Sequence, residues 1–433
     1  MTESAEVVVV GAGSAGCVVA GRLAAAGVHV LLFEAGPAQL PSSAVGLLPV
    51  GSRDEGLLRY GDEVAPGTVV GAARGGRVGG SSAVNGAYLL RARPGDFGPW
   101  PAGWTFESMS PYYERILLPR VRVPIEDMAP AGRSLLAAAT AARVPVVSDL
   151  DEAEAPVAGP VTLNAARGLR VDTAAAYLGP GVDVREGRIV RRVRGRRRRA
   201  IGVETDAGPV AAELVVLCAG SVGTPRLLLR SGIGAARTVA ELGAEPVVDL
   251  PGVGRGGTDH PEVTLPLALD PGPHDPSRPI LEAVAHLVLP EGEVEIRPYT
   301  APFGRAIGGV DDPVLRVGVA AMTSKQRAEV LGGAGVRVHR SGSDAALLAA
   351  GVASVRDLLP TRGEAVLGVP LHLCGTARMG DSDEAPADGA GRIRGVEGLY
   401  VADGSAVPVV PTRGPHATVI AVAERLSEVL LRG

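Results

Sequence analysis

The chain has 433 residues, 46% of them hydrophobic and 3% aromatic, with a net charge of −4. That size and balance suit a soluble globular protein with room for two domains and a large core, and argue against a nucleic-acid partner. Cys17, Cys218 and Cys374 are scattered without metal-ligand spacing, so reduced thiols, no metal and a cytoplasmic place are expected; nothing in the sequence reads as a leader or as a membrane-spanning run of about twenty apolar residues.

In chain order, Val7 to Val10 reads as a strand, β-branched and apolar throughout, as a parallel strand buried on both faces should be. Gly11-Ala12-Gly13-Ser14-Ala15-Gly16 follows. Its first glycine permits a tight turn, its second lets backbone amides approach a pyrophosphate, and its third lets the next helix, Cys17 to Ala26, pack on its strand. A second strand, Val28 to Phe33, ends in Glu34, eighteen positions past Gly16, where a carboxylate can accept hydrogen bonds from ribose hydroxyls. The unit reads as a dinucleotide clamp rather than a merely glycine-rich turn, and by itself leaves NAD and FAD both open.

Beyond Pro37 the pattern loosens as far as Arg74. Gly75 to Gly86 then packs five glycines and two serines into twelve positions, a density that lets backbone lie against a flat ligand. Val78, Ala83, Val84 and Asn85 make it poor linker sequence, so a ligand-contacting loop is expected. Arg91 to Leu118 holds Trp100, Trp104, Phe106, Tyr112 and Tyr113 and reads as a packed excursion, with Ser110-Pro111 at a helix start. Ser134 to Ala142 reads as helix, and Asp149 to Pro160 as an exposed connection.

Strands are expected at Val182–Val184, Ile189–Val193, Ala200–Glu204 and Leu214–Leu217. The charge run Arg194 to Arg199 is read as a solvated turn between two of them, in preference to a dock for an acidic partner or an anionic membrane surface. In Gly220 to Gly234, Thr224 is expected to cap and Pro225 to open a short helix. Alternation over Leu281–Leu289, Glu293–Arg297 and Leu315–Ala320 marks antiparallel strands with one wet face. A helix from about Ser343 to Leu358, the stretch Leu371 to Gly380, a strand Gly398–Ala402 ending in Asp403-Gly404, and a helix from near Ala417 complete the series.

Four of these stretches together resemble the glucose-methanol-choline (GMC) family of FAD-dependent oxidoreductases: the clamp with Glu34, the loop Gly79 to Gly86, the segment Gly220 to Gly234, and His372-Leu-Cys-Gly-Thr-Ala-Arg-Met-Gly. Asp249-Leu-Pro-Gly-Val-Gly and Asp259-His260-Pro261 stand between them, and His416-Ala-Thr-Val-Ile-Ala-Val-Ala-Glu follows, so the likeness runs from Val7 to Leu431. It implies an α/β fold. A FAD-binding, Rossmann-like three-layer domain would take residues 1–90, 161–261 and 366–433, and a smaller α+β substrate domain on an antiparallel sheet would take residues 91–160 and 262–365.

The resemblance also implies roles. FAD would be held with Gly11, Gly13 and Gly16 at the pyrophosphate, Glu34 at the adenosine ribose, Val190 at the adenine, Asn85 at the flavin edge and Asp403 at the ribityl-pyrophosphate region. Ser14, Ala15, Ala35, Gly79, Gly80, Ser82, Gly86, Ala219, Gly220, Gly404, His416, Ala417 and Thr418 complete the cofactor set. The final helix would aim its N-terminus at the flavin pyrimidine ring, where unpaired amides stabilise an anion. FAD is expected to be non-covalent, because Val84 stands where some relatives carry a flavin-linking histidine. His372 and His416 fall on the family's catalytic pair: the first would remove the hydroxyl proton, the second hold the substrate oxygen while hydride moves to flavin N5. His260 is taken as structural.

The sequence departs from the family in its short length and in Gly254-Arg-Gly-Gly-Thr-Asp259, which replaces the usual G-x-N-L-x-D. The compact length and Asp259-His-Pro-Glu262 look like the small actinobacterial members associated with the peptide-derived redox cofactor mycofactocin. That implies a dehydrogenase for CH–OH donors that reoxidises reduced mycofactocin and hands electrons to a respiratory acceptor, in the cytoplasm or peripheral at the inner membrane face. The alternatives are a GMC oxidase that takes a small-molecule alcohol and uses oxygen, a flavoprotein kept for binding or electron relay, and a nicotinamide-dependent reductase, for which no second glycine clamp is visible.

Overall fold

In the computed structural model, which describes every residue except 1–2, 38–39, 41–42, 53, 66–67, 274, 333–334, 340, 369–370 and 433, the apolar strand Glu3–Val10 lies in the middle of a seven-stranded sheet. Across that sheet run Asp183–Arg185, Val30–Phe33, Glu3–Val10, Gly208–Leu217, Arg199–Thr205 and Val190–Arg196, with Leu399–Val401 beside the far half of Gly208–Leu217. The strands around Glu3–Val10 are parallel and the last two form an antiparallel hairpin. Helix Ser14–Ala25 and the terminal helix His416–Arg432 pack on each other. Arg22 clamps both oxygens of Glu424 at 2.8 Å, which pins them together.

A six-stranded antiparallel sheet forms the second layer, in the order Val366–Leu367, Glu262–Pro266, Arg316–Ala321, Gly292–Pro298, Ala283–Leu289 and Val157–Pro160. Helices Pro130–Ala141 and Gly342–Leu358 cover one face of it with Leu135, Leu136, Leu347 and Val355. The wet face expected of these strands fronts a cavity lined by Glu262, Glu295 and Arg297, and most of the strand residues are buried.

Several expectations change for physical reasons. The loosely patterned region before Arg74 is a hairpin, Leu57–Ala65 with Thr68–Gly75, whose first strand pairs in parallel with Gly335–His339. Helix Phe106–Glu114 is started by a reciprocal Thr105–Ser108 cap, and Pro111 sits inside it. Helix Gly220–Arg230 begins four residues ahead of Thr224. Pro225 has no amide for the Ser221 carbonyl, and the Thr376 hydroxyl takes that acceptor at 2.7 Å. Residues 91–118, expected with the substrate domain, bury Phe97, Trp100, Trp104, Met109 and Tyr113 in the core of the nucleotide-binding layer.

The arginine-rich run is an exposed hairpin turn in which Arg197 and Arg198 take φ of 50° and 60°. The replaced motif at Gly254–Asp259 is an ordered loop bonded to Thr376, Ala328 and Cys374. Among the described residues no helix is long and apolar enough to cross a membrane.

Candidate active site

The glycine turn is built by close approach. At Gly11, with φ of +99°, a Cβ would lie 2.6 Å from the Cys218 carbonyl oxygen, and at Gly16 it would lie 1.8 Å from the Gly11 oxygen. Gly13 differs, because a Cβ there would find no protein atom nearer than 4.0 Å and would instead enter the cavity that Gly13 lines. The second glycine loop is pressed onto this turn: Gly79 donates its amide to the Ala12 carbonyl at 2.8 Å, and a Cβ on Gly80 would lie 2.5 Å from the Gly13 Cα. Helix Ser14–Ala25 starts without a side-chain cap, so its first amides remain donors beside Gly13.

Glu34 closes the clamp from inside. Its carboxylate accepts the amides of Ala12 at 3.0 Å and Gly36 at 2.9 Å. Burial pushes its pKa up, partly offset by those amides.

One cavity of ≈1050 Å³ joins this clamp to the six-stranded sheet, at the upper end of the roughly 300–1,000 Å³ usual for small-ligand sites. Of the expected residues, Gly11, Gly13, Ser14, Ala15, Glu34, Ala35, Gly80, Asn85, Gly86, Val190, Ala219, Gly220, His372, Asp403, Gly404 and His416 line it. Gly16 is instead a packing glycine, and Gly79 faces Asp172. Ser82 is fully buried, bonded to the Gly79 carbonyl and the Thr173 hydroxyl. Ala417 and Thr418 are fully buried as well, Thr418 bonded to the Tyr113 hydroxyl at 2.9 Å. The Asp403 carboxylate accepts from Gly220 N, the Thr224 hydroxyl, Ser405 N and the Ser405 hydroxyl. It braces two chain segments and has no acceptor site left for a ribityl hydroxyl. Val84 is buried at 3% exposure, outside the cavity lining.

The histidines converge at the sheet end of the cavity. Asn85 Oδ1 accepts the Ala87 amide at 2.9 Å, which fixes the amide so that Nδ2 faces His416 Nδ1 at 3.2 Å. Nδ2 can only donate, so His416 Nδ1 accepts and the ring proton sits on Nε2. That Nε2 is buried and makes no hydrogen bond of good geometry to the protein.

His372 is held differently, because Asp259 Oδ1 accepts both its amide and that of His260, each at 2.8 Å. The two imidazoles then meet edge to face, Nδ1 to Nδ1 at 3.0 Å. His260, taken from the sequence as structural, therefore lines the cavity in contact with His372. Burial pushes the pKa of His260 and of His416 down to about 4, and burial followed by the neighbouring His260 pushes His372 well below its ordinary value. Burial also pushes Asp259 up to about 6. All three imidazoles are thus neutral at pH 7.

A polar wall faces the histidines that the sequence did not reveal. Arg297 pairs with Glu262 and lies 3.4 Å from Glu295; Tyr88 donates to Glu295 at 2.7 Å and Tyr299 to Glu262 at 3.1 Å. Burial alone would raise Glu295, but His286, 3.0 Å away, and Arg297 hold it well below the usual carboxylate range. The available signal was the spacing Glu293-x-Glu295-x-Arg297, which puts the three charges on one face of a strand.

Family models described as GMC oxidoreductase match residues 5–262 and 334–423. A protein of Rhodococcus erythropolis named as an uncharacterized GMC-type oxidoreductase is 35% identical, with 100% of this chain and 99% of the relative aligned. Pyridoxine 4-oxidase of Microbacterium luteolum is 28% identical over 98% of both chains. The crystal structure of pyridoxine 4-oxidase from Mesorbium loti superposes with a TM-score of 0.85 at 23% identity, covering 99% of each chain, and shares the fold.

Proposed function

We propose, from the premise that this chain belongs to the GMC oxidoreductase family, that it binds FAD non-covalently and uses His372 and His416 to oxidise the CH–OH group of an alcohol. The observation that carries this is the shared cavity: the glycine clamp with Glu34 and the two histidines line one continuous space. The residues fit FAD, since Gly13 leaves open the volume a side chain would fill and the helix starting at Ser14 supplies donors for a pyrophosphate. Val84 offers no nucleophile for a covalent link. Bound there, the flavin supplies the two-electron acceptor.

His416 donates Nε2–H to the substrate oxygen and stabilises the charge that develops as its proton leaves. The N-terminus of helix His416–Arg432 adds to that stabilisation, because its first amides lack intrahelical partners. His372, neutral at pH 7, removes the hydroxyl proton, and hydrogen-bonded positioning by Asp259 holds its backbone in place. The Tyr88–Glu295–Arg297–Glu262 wall keeps its charges mutually paired and contacts the body of the substrate.

We further propose a dehydrogenase that takes electrons from reduced mycofactocin and passes them to a respiratory acceptor. The support is the compact length and Asp259-His-Pro-Glu262. Anaerobic bleaching of the flavin by a panel of alcohols and reduced mycofactocin tests both levels. Bleaching by any alcohol supports the oxidoreductase reading, and no bleaching by any donor contradicts it. Reoxidation by air as fast as turnover contradicts the dehydrogenase reading and leaves an oxidase.

A further inference from the structure

We propose that His260 is a positioning residue that accepts the Nδ1–H of His372 and so holds His372 in the tautomer whose Nε2 lone pair is free for a substrate proton; this rests on the base role given to His372 above.

Two neutral imidazoles meeting Nδ1 to Nδ1 at 3.0 Å form a hydrogen bond only if one nitrogen carries the proton and the other does not. Two arrangements satisfy that, and they differ in chemistry. If His260 donates, His372 has its proton on Nε2 and presents a donor to the cavity, with no lone pair to take a proton. If His372 donates, its Nε2 is the basic nitrogen.

The base role given to His372 decides between them. A neutral His372 whose Nε2 takes the hydroxyl proton carries its own proton on Nδ1, and the ring atom 3.0 Å from that Nδ1 is His260 Nδ1. His372 must then donate from Nδ1, and His260, 2% exposed, accepts at Nδ1 and keeps its proton on Nε2. The His372 Nε2 is the nitrogen left to the cavity that both rings line.

Asp259 makes this register rigid. One carboxylate oxygen takes the amides of His260 and His372, although the two residues are 112 positions apart. The backbone positions of both rings are therefore set by a single group, and the ring–ring contact follows from it. With the His416 proton set on Nε2 by Asn85, the His416 and His372 rings together offer one imidazole N–H and one imidazole lone pair. Those are the two functions an alcohol needs at its oxygen and at its hydroxyl hydrogen.

The direct test is nitrogen-15 NMR of the histidine-labelled holoenzyme at pH 7, with His372 assigned by its loss in His372→Asn. The expected spectrum shows His372 protonated at Nδ1 and unprotonated at Nε2. His372 protonated at Nε2 overturns the proposal, and this reading needs no substrate. In His260→Ala the His372 signals should move toward the Nε2–H form, and flavin reduction should slow by about 10- to 100-fold, the size of a modest misplacement of a catalytic group. His260→Gln places an amide oxygen where Nδ1 was, so it should restore the Nδ1–H signature and most of the rate. A His260→Ala enzyme that keeps both signature and rate refutes the role. If no donor reduces the flavin of the wild type, the base role of His372 fails, while the tautomer measurement still decides the His260 contact.

Discussion

The side-chain amide of Asn85 and the imidazole of His416, 331 positions apart, meet at 3.2 Å, Nδ2 to Nδ1. This joins the second glycine loop to the start of the terminal helix and sets which His416 nitrogen carries the proton. Asn85→Asp replaces the donor by an acceptor, so His416 Nδ1 becomes protonated and its Nε2–H is lost to the cavity. Anaerobic stopped-flow should show flavin reduction slowed by about 10²-fold, in line with removing one donor from a developing oxyanion. An unchanged rate means that His416 is not the donor.

Gly13 offers a second prediction, because a side chain there meets cavity instead of protein. Gly13→Val should fold, with circular dichroism and melting close to those of the parent, and should purify colourless. Retention of yellow flavin would place the pyrophosphate elsewhere. Gly16→Val should behave differently and fail to fold, since its Cβ would collide with the Gly11 carbonyl 1.8 Å away.

Acid precipitation of the wild-type holoprotein should leave all the flavin in the supernatant, since Val84 provides no nucleophile. Flavin that stays with the pellet shows a covalent link through another residue.

The depressed histidines also predict a pH effect on stability. His260 has a folded pKa of about 4 against an ordinary 6.5. The unfolded chain therefore takes up this proton first, and the stability present above pH 6.5 is lost as pH falls toward 4. At about 1.4 kcal/mol per pH unit, the loss reaches ~2 kcal/mol at pH 5. Buried carboxyls such as Asp259, raised to about 6, act in the opposite sense, so the wild-type profile mixes both. Denaturant titrations of wild type and His260→Gln at pH 7.5 and pH 5 isolate the histidine: the variant should lose less stability than the parent between the two. Equal losses mean that His260 is not buried neutral.

What was legible in the sequence was local. Val7 to Glu34 could be read because strand, turn, helix and acidic residue follow one another, and each carries its own backbone requirement. His372 and His416 stood out from the other histidines only through the family resemblance. His260 did not, because its partner is brought to it by Asp259 across two distant segments. Nor did the polar wall, since His286 faces Glu295 through antiparallel register between neighbouring strands. The hairpin Leu57–Gly75 was missed for a similar reason: Gly61 and Gly71 weaken its strand pattern, and its parallel partner Gly335–His339 comes far later in the chain.

The base role of His372 is the central claim, and single-turnover reduction of the flavin under anaerobic conditions tests it most directly. A positioned base contributes roughly 10²- to 10⁴-fold, so His372→Ala should slow reduction by about that factor. His416→Asn should stay nearest to wild type, because its amide can still donate to the substrate oxygen, and His416→Ala should fall between the two. Flavin content should be unchanged in all three. His372→Ala reducing its flavin at the wild-type rate would contradict the account, and would mean that the proton leaves to another group.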